Sequence, residues 1–228
     1  MAQIEVWEKE YQDSKLVTKG DQPQKDVLRF FKYLKKEGGL ELGGLKILDL
    51  GCGTGRNSNY LAELGNEVTG LEISNTAIRI AKQRTEEKKL NVKYLNKSMG
   101  EKLPFEDNYF DLLLDVTSSN SLNEKEREVY LGESKRILKS NGYFFVRALC
   151  KEGDKNAKEL LKKSPGSEHD TYVMKDLKLI ERVFDQKDLK QTYEKYFKIL
   201  KLLKKTSYTR FNNQSYKRNF WLVYLKKE

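Results

Sequence analysis

The sequence predicts an α/β fold in which mainly parallel strands are covered by helices on both faces. Three observations carry that expectation. Short apolar runs alternate with amphipathic stretches along most of the chain, the pattern of strands joined by crossover helices. The run Ile47–Leu50 leads directly into Gly51, Gly53 and Gly55, and a helical pattern opens near Asn57. The 228 residues are an ordinary size for one α/β domain with a sizeable core.

Ile4, Trp7 and Tyr11 recur at helical spacing, which places Trp7 and Tyr11 either in the core or over a ligand. Pro23–Glu37 reads as an amphipathic helix with Val27, Leu28, Phe30, Phe31 and Leu34 mostly on one face. Pro23 suits its first turn and Gly38-Gly39 stops it. Ile47–Leu50 is the first strand, apolar except for Asp49, and Asn57–Leu64 the first crossover helix. Glu67–Leu71 is the second strand, with Glu72 at its tip, and a helix runs from Ser74-Asn75 to about Lys88. Val92–Leu95 and Phe110–Val116 are the third and fourth strands. A helix over Asn123–Lys139 ends in Ser140-Asn141-Gly142, and Tyr143–Leu149 is the fifth strand. Lys151–Lys163 reads as a short helix, and Val173–Phe184 as two strands joined near Asp176. Asp185–Tyr196 is a helix with a capping Asp, followed by strands over Ile199–Phe211 and Lys217–Lys226. No internal repeat or low-complexity linker interrupts this order, so one domain is expected over residues 1–228.

A strand, a glycine-rich turn and a helix N-terminus together let backbone N–H groups face a closely approaching ligand. The dinucleotide pattern G-x-G-x-x-G would need glycine at position 56, where Arg56 stands. Asp49-x-Gly51-x-Gly53-x-Gly55 instead resembles motif I of the class I S-adenosylmethionine-dependent methyltransferases, and similarity extends from about Ile47 to Phe145. Leu103-Pro104-Phe105 through Phe110-Asp111 resembles the connection that precedes the fourth strand in that superfamily. The resemblance implies a doubly wound, seven-stranded, mostly parallel sheet that ends in an antiparallel strand pair. It also implies S-adenosylmethionine as cofactor and S-adenosylhomocysteine as product.

Asp49 could hold the ammonium of the cofactor's methionine end or orient the glycine loop, while backbone donors hold its carboxylate. Gly51, Cys52, Gly53 and Gly55 would lie along the cofactor. Glu72, 21 residues after Gly51, falls where an acid bonds ribose hydroxyls, with Ile73 beside it. No acid is in register after the third strand, so Ser98 and Met99 are expected to frame the adenine. Asp115 is counted with the same site.

Asp115–Ser121, after the fourth strand, occupies the position of motif IV, where the superfamily places substrate contacts. The Asn/Asp-Pro-Pro-Tyr/Phe run common in base amino methylation is absent there, as is the Pro-Cys pair of base carbon methylation. Thr117, Ser119 and Asn120 could bond a small polar substrate or finish a turn; Tyr11 joins them as a candidate acceptor contact. By the same resemblance, residues 1–40 form a helical lid, 41–150 the cofactor core, 151–184 an insertion covering the acceptor and 185–228 the closing helix and strands. Thiopurine and tellurite-resistance methyltransferases use such insertions. The only histidine, His169, lies in it near Tyr172. Either could take a proton from an oxygen or amine acceptor, or His169 could be an exposed loop residue. A sulfur, selenium, tellurium or arsenic acceptor would need no base.

Charge is uneven. Residues 1–150 hold 24 basic and 23 acidic side chains, and residues 151–228 hold 20 and 11. This basic third suits either a lysine-rich solvated surface or an anionic partner. No apolar run is long enough to cross a membrane, and the N-terminus carries charges where a signal peptide needs apolar residues. Two cysteines, neither at metal-ligand spacing, suit a reducing compartment. The expectation is therefore a cytoplasmic enzyme, monomer or homodimer, methylating a small molecule without a metal. An RNA methyltransferase using the basic third, or a non-catalytic cofactor-binding protein, are the alternatives.

Overall fold

The computed structural model describes residues 3–17 and 20–228; residues 1–2 and 18–19 of the expected lid lie outside the described residues. Helices α1 (Ile4–Gln12) and α2 (Lys25–Glu37) lead into β1 (Lys46–Leu50), α3 (Arg56–Glu63), β2 (Glu67–Glu72), α4 (Asn75–Glu87) and β3 (Val92–Asn96). Next come β4 (Phe110–Val116), α5 (Glu124–Ile137) and β5 (Leu138–Cys150). The chain continues through α6 (Lys155–Lys163), β6 (Thr171–Met174), β7 (Leu179–Arg182), α7 (Gln186–Tyr193), β8 (Lys198–Phe211) and β9 (Gln214–Lys226). Seven strands form one sheet in the order β3-β2-β1-β4-β5-β9-β8, and β6 and β7 pair separately. The first five are parallel, while β9 runs antiparallel to both β5 and β8. This is the expected doubly wound sheet with its antiparallel C-terminal pair.

Strand periodicity builds two cores from one sheet. Phe145, Leu222 and Tyr224 face α2, where Val27, Phe30, Phe31 and Leu34 are wholly buried. Burying each such side chain stabilises by about 1.5–3 kcal/mol. Their neighbours Phe144, Val146, Val223 and Leu225 face the opposite way, onto Tyr130 and Leu131 of α5 and Leu189 and Tyr193 of α7. The helix starts are set locally: Asn123 and Glu126 cap α5 reciprocally, and Asp185 accepts from the backbone N–H of Asp188 at the start of α7.

Two departures from expectation matter. The turn expected at Ser140-Asn141-Gly142 is an irregularity inside β5: Asn141 takes φ +65°, and the ladder to β4 shifts there. More consequentially, β9 begins at Gln214 and pairs with β8 along its length, but β5 covers only Asn219–Lys226. The rest of the β8–β9 hairpin projects as a two-stranded arm. Its tip returns to the N-terminal segment, where the N–H of Asn212 donates to the carbonyl of Lys15 at 3.3 Å.

Candidate active site

The strand order reverses between β1 and β4, and ligands of open α/β sheets bind at the carboxyl ends of strands beside such a reversal. A cavity of about 660 Å³ opens there. Its floor includes Gly51, Cys52, Gly53, Glu72, Ile73 and Met99. A Cβ on Gly51 would overlap the Ser118 side chain, and one on Gly53 would stand 2.6 Å from the Tyr11 hydroxyl. Both glycines have positive φ, +68° and +57°, so the turn needs glycine for conformation as well as for space.

Glu72 organises this floor. One carboxylate oxygen accepts from the N–H of Gly53 at 3.0 Å, the other from Ile73 at 2.8 Å and Ser74 at 2.9 Å. Burial raises its pKa, and these backbone donors pull the other way. Ser98 and Met99 border the same floor, and the Ser98 hydroxyl accepts from the Gly100 N–H.

Above the floor lies a cover built from three separated segments. Trp7 and Tyr11 of α1 line the cavity, their ring centroids 6.2 Å apart. Glu8 docks α1 on the start of α4, accepting from the Ser74 hydroxyl at 2.7 Å and both donors of Thr76. Glu10 then folds the following turn by accepting from the N–H groups of Lys15, Leu16 and Val17. Gln3 ties α1 to the insertion, donating to the carbonyls of Ser121 and Ile180 and accepting from the Ile180 N–H. Met174 and Glu181 of the insertion, and Ser207, Tyr208, Thr209 and Arg210 of the arm, complete the walls.

Several expected site residues stand elsewhere. Asp49 is buried beneath the loop and does not line the cavity; its carboxylate accepts from the Ser58 hydroxyl at 2.7 Å. Burial lifts its pKa to about 6, against the lowering effects of Ser58 and Arg56. Gly55 caps α3 with φ +77° and faces Tyr94 and Ala81 rather than the cavity. Asp115 is also inside, accepting from the N–H groups of Ser118 and Ser119 and from the Tyr130 hydroxyl, so it shapes the motif IV turn from below. Ser119 and Asn120 are buried off the cavity, and Asn120 accepts from the Leu149 N–H. Thr117 does line it, at φ +64°, a strained value for a β-branched residue and of a kind found at functional turns.

The two expected proton acceptors are also displaced. The His169 side chain is 73% exposed, 3.2 Å from Asp170, and outside the cavity. It groups with Asp170 and Asp188, but Lys151 binds Asp170, and one Nη of Arg182 donates to both carboxylate oxygens of Asp188 at 2.8 and 3.0 Å. Those carboxylates already have cationic partners. Tyr172 is wholly buried, donating to Glu181 at 2.7 Å and accepting from Arg218 at 3.0 Å. It positions Glu181, which does line the cavity.

Arg56, Arg147, Glu181 and Arg218, none of them a candidate from sequence, also line the cavity, as does Ser118 of the motif IV segment. A visible signal existed for Arg147, the single charge inside the apolar run Phe144–Leu149. Its Nε donates to Asp26 at 3.2 Å, and its guanidinium lies 3.4 Å from the Phe220 ring centroid. Burial lowers its pKa to about 10; Asp26 opposes that, while Arg56 and Arg218 reinforce it by repulsion.

Residues 47–142 match the family described as "Methyltransferase domain". An uncharacterized methyltransferase of Schizosaccharomyces pombe is 34% identical over 111 residues, 48% of this chain and 76% of that protein. The ubiquinone biosynthesis O-methyltransferase of Pelagibacter ubique is 28% identical over 128 residues, 56% of this chain and 51% of that protein. Among solved structures, a SAM-dependent methyltransferase of Methanosarcina mazei superposes with a TM-score of 0.75 at 24% identity, covering 87% of this chain and 96% of that one. The chain belongs to the class I S-adenosylmethionine-dependent methyltransferases. Its cofactor is S-adenosylmethionine and its product S-adenosylhomocysteine.

The residues present fit that cofactor. Ser118 and Tyr11 close onto the loop only because positions 51 and 53 lack a Cβ, the loop borders the cavity, and an acid stands at the end of β2. One expectation changes: the N–H groups of Cys52, Gly53 and Gly55 are bonded within the protein, to Leu71, Glu72 and Cys52 respectively. They are not spare donors for a carboxylate. The Arg56 guanidinium, which makes no hydrogen bond to a described residue, borders the loop instead. No helix among the described residues is long and apolar enough to cross a membrane.

Proposed function

We propose that this enzyme methylates a small molecule held between the glycine-loop floor and the three-part cover. The observation that carries this reading is the convergence of α1, the β6–β7 insertion and the β8–β9 arm on one cavity. A volume of about 660 Å³ lies within the range of about 300–1,000 Å³ of small-ligand sites, whereas a nucleic acid strand calls for an open groove. The Pelagibacter relative, an O-methyltransferase of ubiquinone biosynthesis, points the same way.

In this reading Glu72 holds a ribose hydroxyl, Ile73, Ser98 and Met99 flank the adenine, and Arg56 holds the carboxylate of the methionine end. Trp7 and Tyr11 close over them. Bound there, the cofactor supplies a methyl group already activated on a sulfonium. What the chain contributes is alignment and exclusion of water, effects that reach about 7–11 kcal/mol in favourable intramolecular systems. Thr117 and Ser118 border the acceptor beyond β4. Glu181 takes the proton of an oxygen or amine acceptor, its carboxylate oriented by the Tyr172 hydroxyl. Burial raises the Glu181 pKa, which makes it a better base than a solvated carboxylate. The chain acts as one domain, with residues 1–40 as lid, 41–150 as cofactor core, 151–184 covering the acceptor and 185–228 adding the arm.

Incubating the protein and methyl-labelled S-adenosylmethionine with a cell extract, then separating small molecules, RNA and protein, tests this. Label in the small-molecule fraction is expected. Label confined to RNA would overturn the reading and assign the basic arm to nucleic acid.

A further inference from the structure

Resting on that small-molecule reading, the inference concerns the chemistry of the acceptor. At the carboxyl end of β5 the sheet turns one short polar face toward the cavity. Arg147 and Leu149 of β5 share that face with Arg218 and Phe220 of β9, where Leu149 pairs directly with Phe220.

Both arginines are more than nine-tenths buried, 6% and 7% exposed, and both are only partly satisfied. Arg147 uses Nε on Asp26 and rests its plane on Phe220, so neither Nη group bonds a described residue. Arg218 uses Nε on Asp154 and one Nη on Tyr172, which leaves its other Nη without a bond to a described residue. Asp26 and Asp154 anchor these guanidiniums from behind; neither lines the cavity.

A ligand filling the cavity displaces the water that would otherwise satisfy these donors. A buried donor left unmade is costly, more so when charged. The ligand must therefore bring oxygens to this point, and planar guanidinium donors match carboxylate and phosphate geometry. The surrounding charge selects the anion. Lys15, Arg56, Lys97 and Arg210 also line the cavity, Lys97 being paired with Glu101, while the carboxylates lining it among the described residues are those of Glu72 and Glu181.

We propose that the methyl acceptor is an acidic small molecule whose carboxylate or phosphate monoester is bound by the free Nη groups of Arg147 and Arg218, with its apolar body against Leu149 and Phe220. On this view part of the C-terminal basic excess belongs to acceptor binding, since Arg210 and Arg218 sit in the cavity wall.

The test uses the full chain saturated with S-adenosylhomocysteine, titrated by calorimetry with phenylacetate, phenyl phosphate and the neutral isostere phenylacetamide. At least one acid is expected to bind about tenfold or more tightly than the amide, and the preferred acid separates carboxylate from phosphate. The double variant Arg147→Gln, Arg218→Gln should abolish that preference while still binding S-adenosylhomocysteine, which reports that it is folded, and Arg147→Gln alone should weaken the preference by about threefold or more. Equal binding of acids and amide, absence of binding by both acids, or an acid preference unchanged in either variant while it still binds S-adenosylhomocysteine would overturn the proposal. A second measurement needs no variant: labelled product made from the extract should be retained on an anion exchanger at pH 8, and an uncharged or cationic product overturns the inference. Loss of all labelled small-molecule product would instead count against the proposed function.

Discussion

Replacing Glu72 by alanine tests the floor of the site most sharply. The carboxylate satisfies three backbone donors, those of Gly53, Ile73 and Ser74, at 2.8–3.0 Å. In the proposed complex its remaining lone pair accepts from a ribose hydroxyl. A hydrogen bond to a charged group is worth about 1.5–3 kcal/mol. Losing it raises the dissociation constant of S-adenosylhomocysteine by roughly 12- to 150-fold. The orphaned backbone donors add a stability cost of about 1–3 kcal/mol, limited because cavity water can reach them. Calorimetric titration gives the first quantity and a thermal melt the second. A dissociation constant within about threefold of the parent, in a folded variant, would refute the placement of the ribose at the end of β2.

Two further outcomes follow from the same geometry. Asp49 has its pKa raised from 3.8 to about 6 by burial, so between those values the folded state binds more protons than the unfolded one. Its contribution therefore makes the apoprotein lose about 3 kcal/mol of stability as pH rises from about 4 to 6, and nothing beyond. Asp49→Asn, which keeps an oxygen for Ser58, should lack that segment in denaturant midpoints measured against pH; parallel curves for the two proteins would contradict the burial argument. His169→Ala should turn over the identified acceptor within about twofold of the parent, since the imidazole is 73% exposed and outside the cavity; a loss of about a hundredfold in kcat would restore it as the base.

Residues close in sequence determined most of the architecture. The apolar run Ile47–Leu50, the glycine spacing after it and the recurring strand and helix periods are local properties, and parallel strands with short crossovers leave few topologies open. Glu72 was legible for the same reason: a strand tip beside a glycine loop has one place to go. Loop residues were less legible, because whether a side chain enters a cavity depends on a turn's last torsion. In the motif IV turn Thr117 and Ser118 face the cavity while Asp115, Ser119 and Asn120 are drawn inward by Tyr130 and Leu149.

The cavity wall at the ends of β5 and β9 follows from long-range packing. Arg147 and Arg218 lie 71 positions apart and line one cavity because β9 runs antiparallel beside β5. Tyr172 reads as a candidate base until packing seals it against Glu181 and Arg218. The cavity walls from α1, the insertion and the arm are held together by Gln3, Glu8 and the contact of Asn212 with Lys15, pairings with no local signature. Period and spacing, both local, were therefore enough for the fold and the cofactor. The lining of the cavity depends on which distant side chains share one face of a folded sheet, and no local pattern carries that.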